Sequence, residues 1–144
     1  MRIISSQFGE IEINNDSIIT FNEGLPGFYD LRCFALLSDA NEDGLIFHLQ
    51  SIDSEEVAFV LVDMAALAQD YDPLVDPGHL DGLGEYEPEN FLILNVATIP
   101  ENIHDITVNL KAPIVINWEL KRGKQVVCAN EEYHVRHRLF ALEE

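Results

Sequence analysis

The chain has 144 residues, 26 of them acidic and 8 basic, and a formal net charge of −18. This length suits one domain with its own apolar core, and the two cysteines, Cys33 and Cys128, match no metal-binding or redox spacing. The charge argues against direct binding to nucleic acid or to an anionic membrane, because proteins normally meet those polyanions with clustered lysine and arginine.

The N-terminus predicts a β-hairpin with one solvated face. After a polar break at Gly9, Ile11 and Ile13 alternate with glutamates, which is the pattern of a half-buried strand. Neither this segment nor any later one has the apolar core of a signal peptide or the ~20 apolar residues that span a bilayer. We therefore expect a cytoplasmic protein.

A meander of antiparallel strands is predicted next. The candidate strands are Ile18–Phe21, Cys33–Leu37, Leu45–Ile52 and Val57–Val62. They are short, rich in β-branched and aromatic residues, and separated by glycine-proline or acidic connections. A bend at Pro26 follows the first strand, because proline fixes φ near −65° and the glycines around it accept unusual dihedrals.

The segment 70–90 is predicted to cross the surface, since it holds seven acidic residues, three prolines and three glycines. One helical turn is expected before it, at Met64–Ala68, and a short helix within it, where Asp76 is an N-cap candidate followed by proline. Residues 33–110 contain 16 acidic side chains and no Lys or Arg. Such a field would attract a basic protein partner, and solubility alone is the alternative explanation.

Phe91–Ile99 and Thr107–Ala129 supply the last predicted strands. The second stretch predicts a hairpin, with Gly123 providing the positive φ of its turn and Val126–Cys128 in its second strand. The run Pro113–Ile116 does not alternate, so we expect it to be covered on both faces in the middle of a sheet or barrel wall.

The tail, residues 133–144, could form a strand, a helix or an arm along the surface. No linker or repeat divides the chain. The prediction is therefore a single domain over residues 1–144, built mainly of antiparallel β-strands.

Candidates for catalysis or metal binding are weak. His134 and His137 could hold a metal if they shared a helix face, but further ligands are not evident, and we favour ordinary surface or capping histidines. Cys128 with His134 or His48 is the candidate nucleophile pair, and its place at the end of an apolar strand favours a buried, unreactive thiol. No phosphate-binding or nucleophile-elbow pattern is present. We therefore predict neither an enzyme nor a cofactor.

Five of the eight basic residues lie towards the C-terminus. They are Lys121, Arg122, Lys124, Arg136 and Arg138. They could dock an acidic segment of a partner or balance the protein's own negative charge, and we favour the second because isolated surface charges contribute little.

Seven short blocks occur in order over nearly the whole chain. They are Phe8-Gly9-Glu10-Ile11, Phe21-x-Glu23-Gly24-Leu25-Pro26-Gly27-Phe28, Leu49-Gln50-Ser51-x-Asp53, Ala58-Phe59, Asn109-Leu110-x-Ala112-Pro113-Ile114-x-Ile116-Asn117, Gly123-Lys124-Gln125-Val126 and Tyr133-x-Val135-Arg136-His137. Together they resemble the FliW family of flagellar assembly factors. Two features depart from the family pattern: Asn22 stands where proline is frequent, and the chain continues beyond Arg138.

The resemblance implies a mainly β, single-domain antiparallel β-barrel-like fold with a few short helices and no enzymatic activity. It also implies two protein partners. Held by unexported flagellin, such a protein cannot restrain CsrA, a dimeric RNA-binding translational repressor; once released, it antagonises CsrA allosterically and flagellin translation resumes. The alternative is a flagellin-binding chaperone without translational control, for which apolar surface and strand edges would matter more than charge.

Partner contacts are expected at exposed acidic and aromatic positions between these blocks. The candidates are Phe47, Tyr71, Asp72, Asp76, Glu85, Tyr86, Glu87, Glu89 and Trp118. Aromatic side chains often anchor interfaces, although for each aromatic candidate we favour a place in the core or flanking it. The carboxylates would repel an RNA bound nearby, within a Debye length of ~8 Å at physiological salt.

Overall fold

The computed structural model describes residues 1–38, 44–67, 70–85 and 87–139. The strands in these residues are β1 Arg2–Ser5, β2 Gly9–Glu12, β3 Ile18–Thr20, β4 Cys33–Ser38, β5 Ile46–Ser51, β6 Ala58–Val62, β7 Phe91–Thr98, β8 Thr107–Val108, β9 Ile114–Asn117, β10 Arg122–Gln125 and β11 His137–Arg138. The α-helix α1 spans Met64–Leu67, and 3-10 turns span Asn15–Ser17, Pro77–Leu80, Pro88–Asn90 and Ile103–Asp105.

A closed barrel forms the centre of the fold. Its strands follow the order β7-β6-β5-β4-β3-β10-β9, and β9 pairs again with β7. Neighbours are antiparallel except β3 and β10, which run parallel where Arg122 lies opposite Thr20. The two-residue strands β8 and β11 extend the sheet from the end of β7. The predicted mainly β, barrel-like fold is confirmed.

The barrel interior is filled by large apolar side chains. The buried members of this cluster are Ile19, Phe21, Leu25, Phe34, Leu36, Leu49, Leu61, Leu94, Ile114 and Ile116. Phe21 and Phe34 meet edge to face with ring centroids 5.5 Å apart. Because burial of one such side chain stabilises a fold by about 1.5–3 kcal/mol, this interior is the main source of stability.

The outer faces of several barrel strands are also covered. Ile114 and Ile116 face the interior, whereas Val115 between them packs with Leu83 and Val126 on the outside. This confirms the prediction that the non-alternating run is buried on both faces. The N-terminal hairpin, formed by β1 and β2 as predicted, covers the outside of β4 by packing Ile3 on Ala35.

The hairpin of β9 and β10 confirms one prediction and corrects two details. Its turn residue is Lys121, with φ of 58°, whereas Gly123 lies within β10, opposite Ile116. Gly123 is required there by close packing, since an added Cβ would come within 2.6 Å of the Phe21 ring. The predicted second strand at Val126–Cys128 was wrong: the strand is Arg122–Gln125, a polar stretch paired on both sides.

The described part of the tail, residues 133–139, joins the sheet at its end, and residues 140–144 lie outside the described residues. Its residues 137 and 138 pair with β8, and Leu139 then donates a backbone hydrogen bond to Ile106, 2.9 Å from nitrogen to oxygen. The predicted turn after Val62 is α1, and Asp76 caps the 3-10 turn Pro77–Leu80 by accepting a hydrogen bond from the Gly78 amide at 2.9 Å. Within the described ranges, no helix is long and apolar enough to cross a membrane.

Candidate functional site

Three of the predicted contact residues meet at one mouth of the barrel. The mouth lies where β3, β5 and β7 begin and β4 and β9 end. It encloses a cavity of about 410 Å³ lined by Ser17, Leu36, Ser38, Phe47, Glu89, Asn90, Leu92 and Trp118. Its apolar floor belongs to the barrel interior, because Phe47 and Leu92 pack against the interior cluster.

Hydrogen bonds tie the two segments that form the rim of the mouth. The Trp118 amide donates to the Asn90 carbonyl at 2.7 Å. In return, Asn90 Nδ2 donates to Glu119 Oε2 at 2.7 Å. These bonds fix the end of β9 to the 3-10 turn Pro88–Asn90, which carries the exposed carboxylate of Glu89. The indole and the carboxylate are therefore held on the same rim.

The Trp118 side chain is an oriented aromatic surface. It is 40% exposed, and Lys121 Nζ lies 3.3 Å from its ring centroid. This cation–π contact contributes about 0.5–1 kcal/mol at an exposed site. It partly offsets the left-handed conformation of Lys121, which costs about 1–2 kcal/mol for a residue with a Cβ. The turn thus restrains the orientation of the indole on the rim.

The acidic segment 70–90 crosses the outside of the barrel. Leu74 anchors its beginning: the Leu74 amide donates to Asn130 Oδ1 at 2.7 Å, and the Leu74 carbonyl accepts from the Ala129 amide at 2.8 Å. Near its end, Asn117 Nδ2 donates to the Leu83 carbonyl at 2.6 Å. The segment is therefore fixed at both ends as a surface excursion.

The other predicted acidic contacts lie along this segment. Asp72, Asp76, Glu85 and Glu87 are exposed, so their carboxylates face solvent outside the mouth. Tyr86 lies outside the described residues.

Tyr71 was predicted among the surface contacts, but its side chain lies in the interior. It is 7% exposed, and its hydroxyl donates to the Leu110 carbonyl at 2.8 Å. The Tyr71 hydroxyl oxygen accepts a hydrogen bond from Asn95 Nδ2 at 2.9 Å. Burial raises the pKa of the Tyr71 phenol to about 12, although the hydrogen bond from Asn95 acts in the opposite direction. We therefore leave Tyr71 out of the candidate surface.

The candidate metal-binding residues do not form a metal site in the part of the chain that the structure describes. Cys128 is buried, with its Sγ 3.7 Å from the Leu110 carbonyl, and His137 lies on the edge strand β11. Across residues 1–38, 44–67, 70–85 and 87–139, no three His, Cys, Asp or Glu side chains are grouped so that they could hold a metal ion.

Among the described residues, two of the five basic residues towards the C-terminus form ion pairs. Lys124 Nζ lies 3.1 Å from Glu23 Oε2, and Arg138 Nη2 lies 3.0 Å from Asp105 Oδ1. These pairs agree with the interpretation that basic residues balance the protein's own charge.

Sequence reasoning missed the residues that complete the mouth. Leu36, Asn90 and Leu92 read as ordinary strand or turn residues, and only the pairing of Phe91 with Asn117 places the start of β7 beside Trp118. The sequence offers one signal for this site: Trp118 and Lys121 are three residues apart in a tight connection, where a lysine can reach the ring of a tryptophan.

The family model described as FliW protein matches residues 2–139. A relative named Flagellar assembly factor FliW, from Natranaerobius thermophilus, is 42% identical over 142 residues, which are 97% of this chain and 93% of the relative. One of the same name from Thermoanaerobacter pseudethanolicus is 39% identical over 137 residues, 95% of this chain and 91% of the relative. A solved structure described as "Crystal structure of the flagellar assembly factor FliW" superimposes with a TM-score of 0.90 at 31% identity, covering 100% of both chains.

Proposed function

The chain belongs to the FliW family of flagellar assembly factors, and from this premise we propose that it is a non-enzymatic switch between two protein partners in the cytoplasm. Flagellin holds it until the filament subunit is exported. The released protein then binds CsrA and antagonises it allosterically, which relieves the repression of flagellin translation.

The barrel mouth is the observation that carries this proposal. It combines a half-exposed tryptophan, an apolar floor and a carboxylate on one rim, and tryptophan in such a setting is a frequent anchor of protein interfaces. An RNA-binding protein such as CsrA presents basic surface. The net charge of −18 would attract that surface and repel the RNA bound to it.

A flagellin-binding chaperone without translational control is the second candidate. Exposed apolar side chains near a sheet edge favour this function. Ile103 is 59% exposed and lies in the turn before β8, and Val135 is 58% exposed and lies just before β11, the partner of β8. Apolar surface beside a strand edge suits the masking of a sticky partner segment.

Calorimetric titration tests the proposal directly. We would titrate the protein with purified CsrA, then with flagellin, and then with CsrA saturated by flagellin-leader RNA. Saturable binding to both proteins with release of RNA is the expected result. Binding to flagellin alone would leave the chaperone function, and no heat with either protein would overturn both.

A variant of the mouth sharpens this test. Trp118→Ala should weaken CsrA binding by about ten-fold or more, as removal of a buried aromatic anchor does. Tyr29→Ala is the matched control, because Tyr29 is 63% exposed and does not line the mouth. Equal affinities of the two variants would show that CsrA binds elsewhere.

A further inference from the structure

A second cavity lies on the outer face of the β7–β9 pair, outside the barrel. It has a volume of about 410 Å³, and every residue that lines it is apolar. The lining residues are Pro73, Leu74, Val75, Pro77, Leu80, Ile93 and Val115. We call it the outer groove. Its size falls within the range of ligand pockets, roughly 300–1,000 Å³.

The barrel wall and the acidic segment build the groove together. Ile93 and Val115, direct partners across β7 and β9, contribute from the wall. One side is the extended stretch around Leu74, which its two hydrogen bonds hold against residues 129 and 130. The other side is the 3-10 turn Pro77–Leu80, which Asp76 caps. Both sides are thus fixed by hydrogen bonds without filling the space between them.

Aspartates flank several of these lining residues in the sequence. Asp72, Asp76 and Asp81 are exposed and lie within one residue of lining residues in the sequence. No Lys or Arg occurs from residue 33 to residue 110, so the acidic segment itself brings no basic side chain to the groove. From the barrel, Arg122 Nη1 reaches the segment and donates to the Gly82 carbonyl at 3.3 Å, so aspartates still outnumber cations beside the groove. Leu74 is 57% exposed, which leaves an apolar side chain within reach of a partner.

We propose that the outer groove binds a segment of a partner protein. In this segment, apolar side chains are interspersed with lysines and arginines. The apolar side chains would enter the groove while the basic ones pair with the aspartates. Charge complementarity selects this occupant. A second copy of the chain carries the same net charge of −18 and would be repelled, as would RNA and anionic lipid, which are polyanions. A small apolar ligand would gain nothing from the carboxylates.

The outer groove and the barrel mouth are separate sites. Leu92 lines the mouth and the next residue, Ile93, lines the groove, and adjacent strand residues point to opposite faces of a sheet. Two partner segments can therefore occupy them without overlap. The inference rests on the proposed function only in taking the ligand to be a protein.

The probe is a short synthetic peptide of alternating lysine and leucine, added to the full-length protein and followed by NMR of the methyl groups. Saturable shifts should appear at the methyl groups of Leu74, Leu80, Ile93 and Val115. Two matched peptides, with glutamate in place of lysine or serine in place of leucine, should bind at least about ten-fold more weakly.

Variants locate the binding. Leu74→Ser and Leu80→Ser should each weaken binding of the peptide by about ten-fold. Ile4→Ser, at a comparably exposed side chain that lines neither the groove nor the mouth, should leave the affinity unchanged. Methyl spectra of each variant without peptide show whether the fold is retained, and Leu74→Ser, at an exposed side chain, keeps the test valid if Leu80→Ser unfolds.

Three outcomes would overturn the proposal. Equal binding of the serine peptide would mean attraction by charge alone. Shifts confined to the mouth would assign the peptide to that site, and concentration-dependent groove shifts without peptide would indicate a dimer instead. Failure of the proposed function is a different result, since it requires that neither CsrA nor flagellin binds, whereas the peptide response depends on the groove alone.

Discussion

Tyr71 shows how a residue that looks exposed in the sequence can hold the fold together. It begins the acidic segment, so its neighbours in the chain suggested the surface. In the structure its hydroxyl joins the Leu110 carbonyl to Asn95, and its ring lies 4.9 Å from that of Tyr133. The segment, the barrel and the tail therefore meet at one phenol. The sequence favoured a core or flanking place for an aromatic side chain, but it could not indicate these partners, because only tertiary pairing brings them together.

Replacing Tyr71 with phenylalanine should lower stability and remove a dependence on pH. Loss of the two hydrogen bonds should reduce the free energy of unfolding by about 1–3 kcal/mol near neutral pH. In the wild-type protein, the phenol has a pKa of about 12 when folded and an ordinary value of 10 when unfolded. The folded state therefore holds more protons between these values, and the stabilisation from Tyr71 is lost as the pH rises from 10 to 12.

The gap in stability between the wild type and Tyr71→Phe should consequently narrow over this range of pH, because phenylalanine does not ionise. Urea unfolding at a series of pH values, followed by the fluorescence of Trp118, measures the gap. Tyr29→Phe is the control, since Tyr29 is 63% exposed and its replacement should change stability little. A Tyr71→Phe gap that stayed constant up to pH 12 would contradict the burial of this phenol.

At the scale of elements, apolar pattern predicted those strands whose side chains form the core. β7 and β9 carry long apolar runs, and both were expected. β10 was missed because Arg122–Gln125 is polar: its place depends on pairing with β9 and β3 and on the ion pair of Lys124 with Glu23. The strands β8 and β11 have two residues each, which is too short to show the alternation of apolar and polar residues that predicts a strand. The mouth could not be predicted from the sequence for a similar reason, since Phe47 and Trp118 come to line one cavity only when the barrel closes.

The contact between β10 and the barrel interior can be tested at Gly123. Its Cα faces the Phe21 ring, and an added Cβ would lie 2.6 Å from two ring carbons. Phe21 is fully buried, so neighbouring groups must shift, and overpacking of this kind costs about 1–3 kcal/mol. Gly123→Ala should therefore lower the midpoint of urea unfolding. Its m-value should stay unchanged if the fold is retained.

Gly78→Ala is the matched control for this substitution. Gly78 lies in an exposed 3-10 turn, its φ is not positive, and a Cβ there would meet Asp76 Oδ1 at an ordinary 3.4 Å. The change should shift stability by less than about 0.5 kcal/mol. If Gly123→Ala lowered stability as little as this control does, β10 would be packed less closely against the Phe21 ring than the structure shows.

The whole molecule carries far more negative charge than its own cations can balance. It has 26 acidic and 8 basic side chains, and within the described residues three of the basic ones, Arg2, Lys124 and Arg138, are already paired with Glu10, Glu23 and Asp105. The electrostatic field of the unbalanced carboxylates acts on solvent and on any molecule that binds to the protein. For the proposed switch, this field has two effects: it attracts a basic protein surface, and it repels RNA held on that surface.

These two effects can be separated by neutralising part of the acidic segment. The triple variant Glu85→Gln, Glu87→Gln, Glu89→Gln should reduce the displacement of RNA from CsrA more than it reduces formation of the complex, because a bound polyanion carries more charge than the protein contact. The difference should shrink at high salt, where the Debye length falls to ~3 Å at 1 M. Fluorescence anisotropy of labelled leader RNA and calorimetry with CsrA measure the two quantities.

An equal change in charge elsewhere on the surface provides the comparison. Asp53→Asn, Glu55→Gln, Glu56→Gln removes three exposed carboxylates that line neither the mouth nor the outer groove. If antagonism depends on where the field lies, this control should displace RNA nearly as well as the wild type. If both triple variants lose displacement equally, net charge alone is responsible. If displacement and complex formation fall together at every salt concentration, CsrA is antagonised without electrostatic repulsion of its RNA.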